Sequence, residues 1–96
     1  ILENVVYLEL IRRGYDVYVG QVDNLEVDFV AMKNGNISYY QVAATVREAT
    51  TLKRELAPLQ KIDDHYPKVI LTLDDDPIAD YDGIRRMNAL EFLLQK

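Results

Sequence analysis

The sequence predicts an α/β fold in which a mixed central sheet carries helices on both faces, and three observations lead there. Apolar residues recur at helical spacing in two segments, 2–13 and 47–62. Between those segments lie three short β-type runs, the second and third separated by Asn34-Gly35. After the second helical segment comes KVILTL, residues 68–73, a continuous apolar run of the kind that is buried on both faces of a sheet.

In LENVVYLELIRR, Leu2, Val5, Val6, Leu8, Leu10 and Ile11 predict a largely buried helix, stopped by Gly14. DVYVGQV then alternates and is rich in β-branched residues, the Asp23-Asn24 pair marks a turn, and Leu25–Met32 alternates again. Asn34-Gly35 suits a type I′ turn, which needs positive φ at both central residues, so Ile37–Ala43 is read as the third strand of a meander. REATTLKRELAPLQKI places Leu52, Leu56, Leu59 and Ile62 on one helical face, with Pro58 expected to end or kink the helix in its last turn. KVILTL, closed by Asp74-Asp75-Asp76-Pro77, reads as a central strand. Past a polar connection, GIRRMN is expected as a short edge strand and Ala89–Leu94 as a terminal helix capped by Asn88. A helix joining strand three to a doubly buried strand four implies a right-handed parallel crossover.

The 96 residues, about half of them apolar, fit one domain spanning 1–96. Asp and Glu outnumber Lys and Arg by 16 to 11, and the net charge of −5 disfavours nucleic-acid binding at long range. Local basic patches at Arg12-Arg13, at Lys53, Arg54 and Lys61, or at Arg85-Arg86 remain open. Without cysteine there is no disulfide, thiolate metal site or Cys nucleophile, and a single histidine rules out a multi-histidine metal site. No apolar run reaches the ~20 residues of a membrane span, so no membrane partner and a cytoplasmic location are expected. The chain opens on Ile1 with amphipathic sequence at once, which suggests a piece of a longer protein.

Two polar residues interrupt the apolar runs of the hairpin. If Asn34 and Gly35 are the two loop residues, the numbers of paired residues sum to 69 and Asp28 lies opposite Gln41. Glu26, Asp28 and Gln41 then share one face, while Val27, Phe29, Tyr40 and Val42 point to the other. The two carboxylates of Glu26 and Asp28 with the Gln41 amide oxygen, near a main-chain carbonyl, form a candidate site for Mg²⁺ or Mn²⁺, cations that prefer oxygen ligands, with Asp28, Gln41 and the Val42 backbone carbonyl as its ligands. The alternative is that Gln41 simply donates a hydrogen bond to a half-buried Asp28 carboxylate.

The order of elements and the position of Asp28 resemble the PD-(D/E)XK nuclease-like superfamily. Its core is a helix, a three-strand meander, a helix and a further strand, so the resemblance implies a restriction-endonuclease-like three-layer α/β/α fold. Asp28 matches the strand-two acid of that motif, and Glu3 looks like the glutamate contributed by the first helix. Gln41 takes the place of the second acid and Ala43 that of the lysine. More closely, LENVVYLELIRRGYDVYVGQV, EVDFVAMKNG, YYQVAAT, LAPLQKIDDHYPKVILTLDDD and GIRRMNALEFLLQK resemble the C-terminal domain of unknown function attached to prokaryotic AAA+ ATPases. That likeness covers almost the whole chain. It implies an accessory domain whose partner is its own ATPase portion or another protein, with ATP bound only by a preceding N-terminal portion.

In such nucleases two carboxylates and a lysine hold the metal and the attacking water. Here Gln41 removes one negative charge and Ala43 removes the cation, so catalysis is expected to be lost, with Glu3, Asp28 and Gln41 as a vestigial site. Metal-dependent DNA cleavage is the alternative. Arg47 could lean towards the site, although a guanidinium stays protonated and is no general base. His65 between Asp63, Asp64 and Tyr66-Pro67 reads as a turn residue, with metal ligation as its alternative. The run Asp74–Asp76 reads as a solvated strand end. The seven tyrosines read mostly as packing or interface residues and not as base-stacking platforms.

Overall fold

A computed structural model describes residues 1–95. In chain order the elements are α1 (Leu2–Arg12), β1 (Asp16–Val22), β2 (Leu25–Lys33), β3 (Asn36–Val42), α2 (Ala49–Lys61), β4 (Lys68–Thr72), β5 (Ala79–Tyr81), β6 (Ile84–Asn88) and α3 (Ala89–Leu94). The strands form one six-stranded mixed sheet in the order β1-β2-β3-β4-β6-β5. β1, β2 and β3 are antiparallel neighbours, β4 runs parallel to both β3 and β6, and β5 closes the far side antiparallel to β6.

Local chemistry sets these boundaries. α1 ends where Gly14 takes φ +91° and the N–H groups of Gly14 and Tyr15 reach back to the carbonyls of Ile11 and Leu10, the glycine-terminated cap that satisfies the last open carbonyls. Asn34 (φ 54°) and Gly35 (φ 80°) make the expected β2–β3 turn. Asn88 Oδ1 accepts the N–H groups of Leu90 and Glu91, capping α3 as expected. α2 does not stop at Pro58 but runs on to Lys61. Proline removes one N–H and crowds one carbonyl, and burial of Pro58 and Leu59 against the sheet holds the last turn in place regardless.

Each face of the sheet has its own core. Val6 and Leu10 of α1 and Phe92 of α3 pack with Ala31, Tyr40, Val42, Leu71 and Met87. Leu56 and Leu59 of α2 pack with Val27, Val46, Ile70 and Ile84 on the opposite face. Helices therefore cover both faces. No helix among the described residues is long and apolar enough to cross a membrane.

Three expectations need correcting. α1 is not largely buried: Val6 and Leu10 are enclosed, while Val5, Leu8 and Ile11 face outward, Leu8 being 63% exposed. A single helix on a sheet buries one stripe, and this helix is apolar on its outer side as well. The strand Ile84–Asn88 is not at the sheet edge, because Ala79–Tyr81, read as a polar connection, pairs outside it. Asp82 and Gly83, both at positive φ, turn that hairpin. Val27 does not share a face with Phe29. The β1–β2 register slips between Tyr18–Val30 and Gly20–Val27, leaving Asp28 and Phe29 together opposite Val19. That β-bulge sends Val27 to the α2 side and leaves Phe29 on the α1 side.

Candidate functional site

The bulge opens the hairpin where Asp28 and Gln41 lie. The β2–β3 ladder follows the predicted register from Lys33–Asn36 to Phe29–Tyr40 and stops there. Beyond it the polar side chains take over the bonding between strands. Gln41 Oε1 accepts the Asp28 N–H at 2.7 Å, and Asp28 Oδ2 accepts the Val42 N–H at 2.8 Å. Gln41, only 4% exposed, sends its amide nitrogen the other way, to the Glu55 carbonyl of α2 at 3.2 Å. The two polar residues do meet, through the backbone and not by Gln41 donating to the carboxylate.

The electrostatics are those of carboxylates short of cations. Burial pushes the Asp28 carboxyl above its usual range, the Val42 N–H pulls it back, and the charges of Glu3 and Glu26 push it further up. Glu55 is raised as well, by burial first and then by Asp28 and Glu3. Glu3 from the first turn of α1, Asp28 from the bulge and Glu55 from α2 therefore feel one another. Glu55 is the residue that sequence reasoning missed. Its position between Leu52 and Leu56 on the sheet-facing side of α2 was the available signal.

Beside these groups lies a cleft of about 660 Å³ between the start of α1, the end of β3 and α2. Glu3 and Glu55 line it, along with apolar Val5, Val42, Ala43 and Leu73. Ala43 thus presents a methyl group where the resemblance implies a lysine. Of the proposed oxygen donors, Gln41 Oε1 already accepts the Asp28 N–H and Asp28 Oδ2 the Val42 N–H, so both are engaged within the hairpin. Among the described residues no three Asp, Glu or His side chains gather as a metal site.

The other candidates sit elsewhere. Arg47 turns away from Asp28 to clamp the β4–β5 loop, with ion pairs to Asp74 at 3.6 Å, Asp75 at 2.9 Å and Asp76 at 3.1 Å. Asp74 is buried, not solvated. Burial would raise its carboxyl, but the Val46 N–H, the Thr45 hydroxyl and Arg47 outweigh that and hold it low. Beside the middle of β3, where Tyr39 pairs with Lys68 of β4, Tyr39 Oη donates to Asp64 Oδ2 at 2.6 Å and Lys68 Nζ reaches Asp64 Oδ1 at 2.8 Å. His65 is exposed beside this knot.

No family model matches the chain. It is 42% identical over 94 residues to an uncharacterized protein of Haemophilus influenzae. The match takes in 98% of this chain but spans only 23% of the length of that relative.

Proposed function

We propose that this chain is a restriction-endonuclease-like accessory domain, the C-terminal part of a cytoplasmic AAA+ ATPase, that has lost metal-dependent cleavage and serves in protein contacts or regulation. The observation that carries the reading is the double engagement of Gln41. A side chain bonded to the Asp28 N–H on one side and the Glu55 carbonyl on the other braces two strands and a helix, which is structural work in the place where the nuclease motif puts a ligand. Ala43 offers no cation to position an attacking water. The meander, crossover helix and parallel β4 agree with the fold that the resemblance implies, and the much longer relative agrees with an accessory position.

The test is incubation of the purified chain with Mg²⁺ or Mn²⁺ and linear, supercoiled or branched DNA, beside Asp28→Ala. No cleavage by either protein is expected. Cleavage that disappears in Asp28→Ala would overturn the reading in favour of a nuclease.

A further inference from the structure

We infer that the cleft between the C-terminal end of α1, the β2–β3 hairpin and α3 is a docking site for a partner protein's acidic segment, one in which carboxylates alternate with apolar side chains. The inference rests on the protein-contact role proposed above and names its surface. The cleft holds about 680 Å³ and is lined by Arg12, Arg13, Tyr15, Lys33, Leu93, Leu94 and Gln95, with no carboxylate side chain among the described lining residues. In a chain of net charge −5 this is a local reversal of sign, three cations against the single Glu9 carboxylate that two of them bind.

The three cations have different duties. Arg13 builds the cleft: it binds Glu9 at 2.6 Å, the Phe92 carbonyl at 2.6 Å and the Gln95 carbonyl at 3.1 Å, and lies over the Phe92 ring. Those bonds fix α3 against α1. Arg12 and Lys33 face outward from it. Arg12 is 67% exposed and meets Glu9 through its Nε and one terminal nitrogen, leaving the other terminal nitrogen to solvent. Lys33 Nζ spends one donor on the Arg13 carbonyl at 2.8 Å, and an ammonium carries three. Two outward cations held by a rigid frame suit carboxylates.

The walls make the occupant a peptide. Leu94 is 82% exposed, and Leu8, one turn before Arg12 on α1, is 63% exposed. Apolar surface mixed with charge is matched by alternating Leu-type and Glu-type side chains, not by a phosphate backbone. The Tyr15 ring is already covered by the Lys33 ammonium, 5.5 Å from its centroid, so it offers bases no open stacking face.

The probe is a synthetic helical peptide of repeating Leu-Glu-Glu-Leu, titrated into ¹⁵N-labelled protein beside its Glu→Gln analogue and a single-stranded oligonucleotide. Saturable amide shifts confined to Arg12–Tyr15, Lys33 and Leu93–Gln95 are expected with the acidic peptide, and binding about tenfold weaker for the Gln analogue, as two exposed ion pairs imply. The double variant Arg12→Gln, Lys33→Gln should weaken the acidic peptide to the level of that analogue. Absence of saturable shifts, equal affinity for the analogue, or tighter binding of the oligonucleotide at these residues would overturn the docking site. DNA cleavage measured on the same sample addresses the proposed function separately, so failure of one reading is told apart from failure of the other.

Discussion

Asp28 and Gln41 bridge the open end of the β2–β3 hairpin reciprocally, the Asp28 N–H bonding to Gln41 Oε1 at 2.7 Å and the N–H beyond Gln41 bonding to Asp28 Oδ2 at 2.8 Å. Side chains thus do what ladder carbonyls do in the rest of the hairpin. The strands can part around the bulge without orphaning backbone groups, and parting them creates the space in which Glu3, Asp28 and Glu55 influence one another.

Gln41→Glu tests that brace. A carboxylate keeps an acceptor for the Asp28 N–H but leaves the Glu55 carbonyl without its donor and adds a charge beside two carboxyls already pushed upward. The expected loss is about 1–3 kcal/mol at neutral pH, read as a lower thermal midpoint. Lowering the pH should restore part of it, since protonation removes the added repulsion. Millimolar Mg²⁺ should also restore part, because a divalent cation offsets the repulsion among the new carboxylate, Asp28 and Glu55. An unchanged midpoint would remove Gln41 from the structural role given to it.

Asp28→Asn and Asp28→Ala should differ in sign. Asn keeps an oxygen for the Val42 N–H and sheds the charge that burial, Glu3 and Glu26 oppose. Because folding raises the Asp28 pKa, ionisation works against the native state above the raised value, and that penalty fades as pH falls towards the ordinary carboxylate range. Asn should therefore be neutral or stabilising near pH 7. Ala leaves a half-buried N–H without a partner at a cost of about 1–3 kcal/mol. Urea denaturation of both variants decides it, and equal destabilisation would contradict the electrostatic account.

Much of this was legible beforehand because it depends on short-range chemistry. Asn34-Gly35 set the turn, and with it the register that carried Phe29 opposite Tyr40 and brought Asp28 to Gln41. Gly14 and Asn88 marked their helix ends. The β-bulge at Asp28–Phe29 was not legible, since one extra residue in β2 is defined only by its pairing with β1. β5 was missed although Asp82-Gly83 is the same kind of turn signal as Asn34-Gly35, because Ala79–Tyr81 is too short to show alternation. The exposure of Leu8 and Ile11 was hidden for another reason: helical spacing shows that a face is apolar, and tertiary packing decides whether anything covers it. At the candidate site the residue types were readable, but which atom of Gln41 faces which partner depends on how far the strands part.

The pH profile should show acid destabilisation from carboxylates other than Asp28 and Glu55. Hydrogen bonds from Arg12 and Arg13, aided by their charges, hold the Glu9 carboxyl at about 2, against an ordinary 4.5. A lowered folded-state pKa gives stability that is fully present above the ordinary value and is lost as pH falls from about 4.5 towards 2. Asp64 and Asp74, also held low, add with the same sign, while Asp28 and Glu55 act against them. Glu9→Gln should flatten the decline below pH 4.5 and leave the profile above it unchanged in shape. Denaturant midpoints measured across pH 2–7 check this; a slope in Glu9→Gln equal to that of the parent would mean that the arginines do not hold the carboxylate.

The Lys68–Asp64 knot should respond asymmetrically to loss of either partner. Lys68 is buried with its side chain 9% exposed, and its ammonium donates to Asp64 Oδ1 at 2.8 Å, the Asp64 carbonyl at 2.9 Å and the Tyr66 carbonyl at 3.0 Å. Asp64→Ala strands that charge beside two carbonyls and also takes the acceptor from the Tyr39 hydroxyl, whose pKa burial and the Asp64 contact push up to about 12. Removing one partner of a fully buried pair costs roughly 3–5 kcal/mol, and the 28% exposure of the Asp64 side chain should bring this to about 2–4 kcal/mol by screening. Lys68→Met removes the charge together with its desolvation cost and keeps the apolar stem, while Asp64 still accepts from Tyr39 and from the Tyr66 N–H. Its loss should be under about half as large. Urea unfolding of the two variants and their combination closes a double-mutant cycle, in which adding Lys68→Met to Asp64→Ala should recover stability. Strict additivity would show that the ammonium is indifferent to Asp64, and the knot would then be a set of separate contacts.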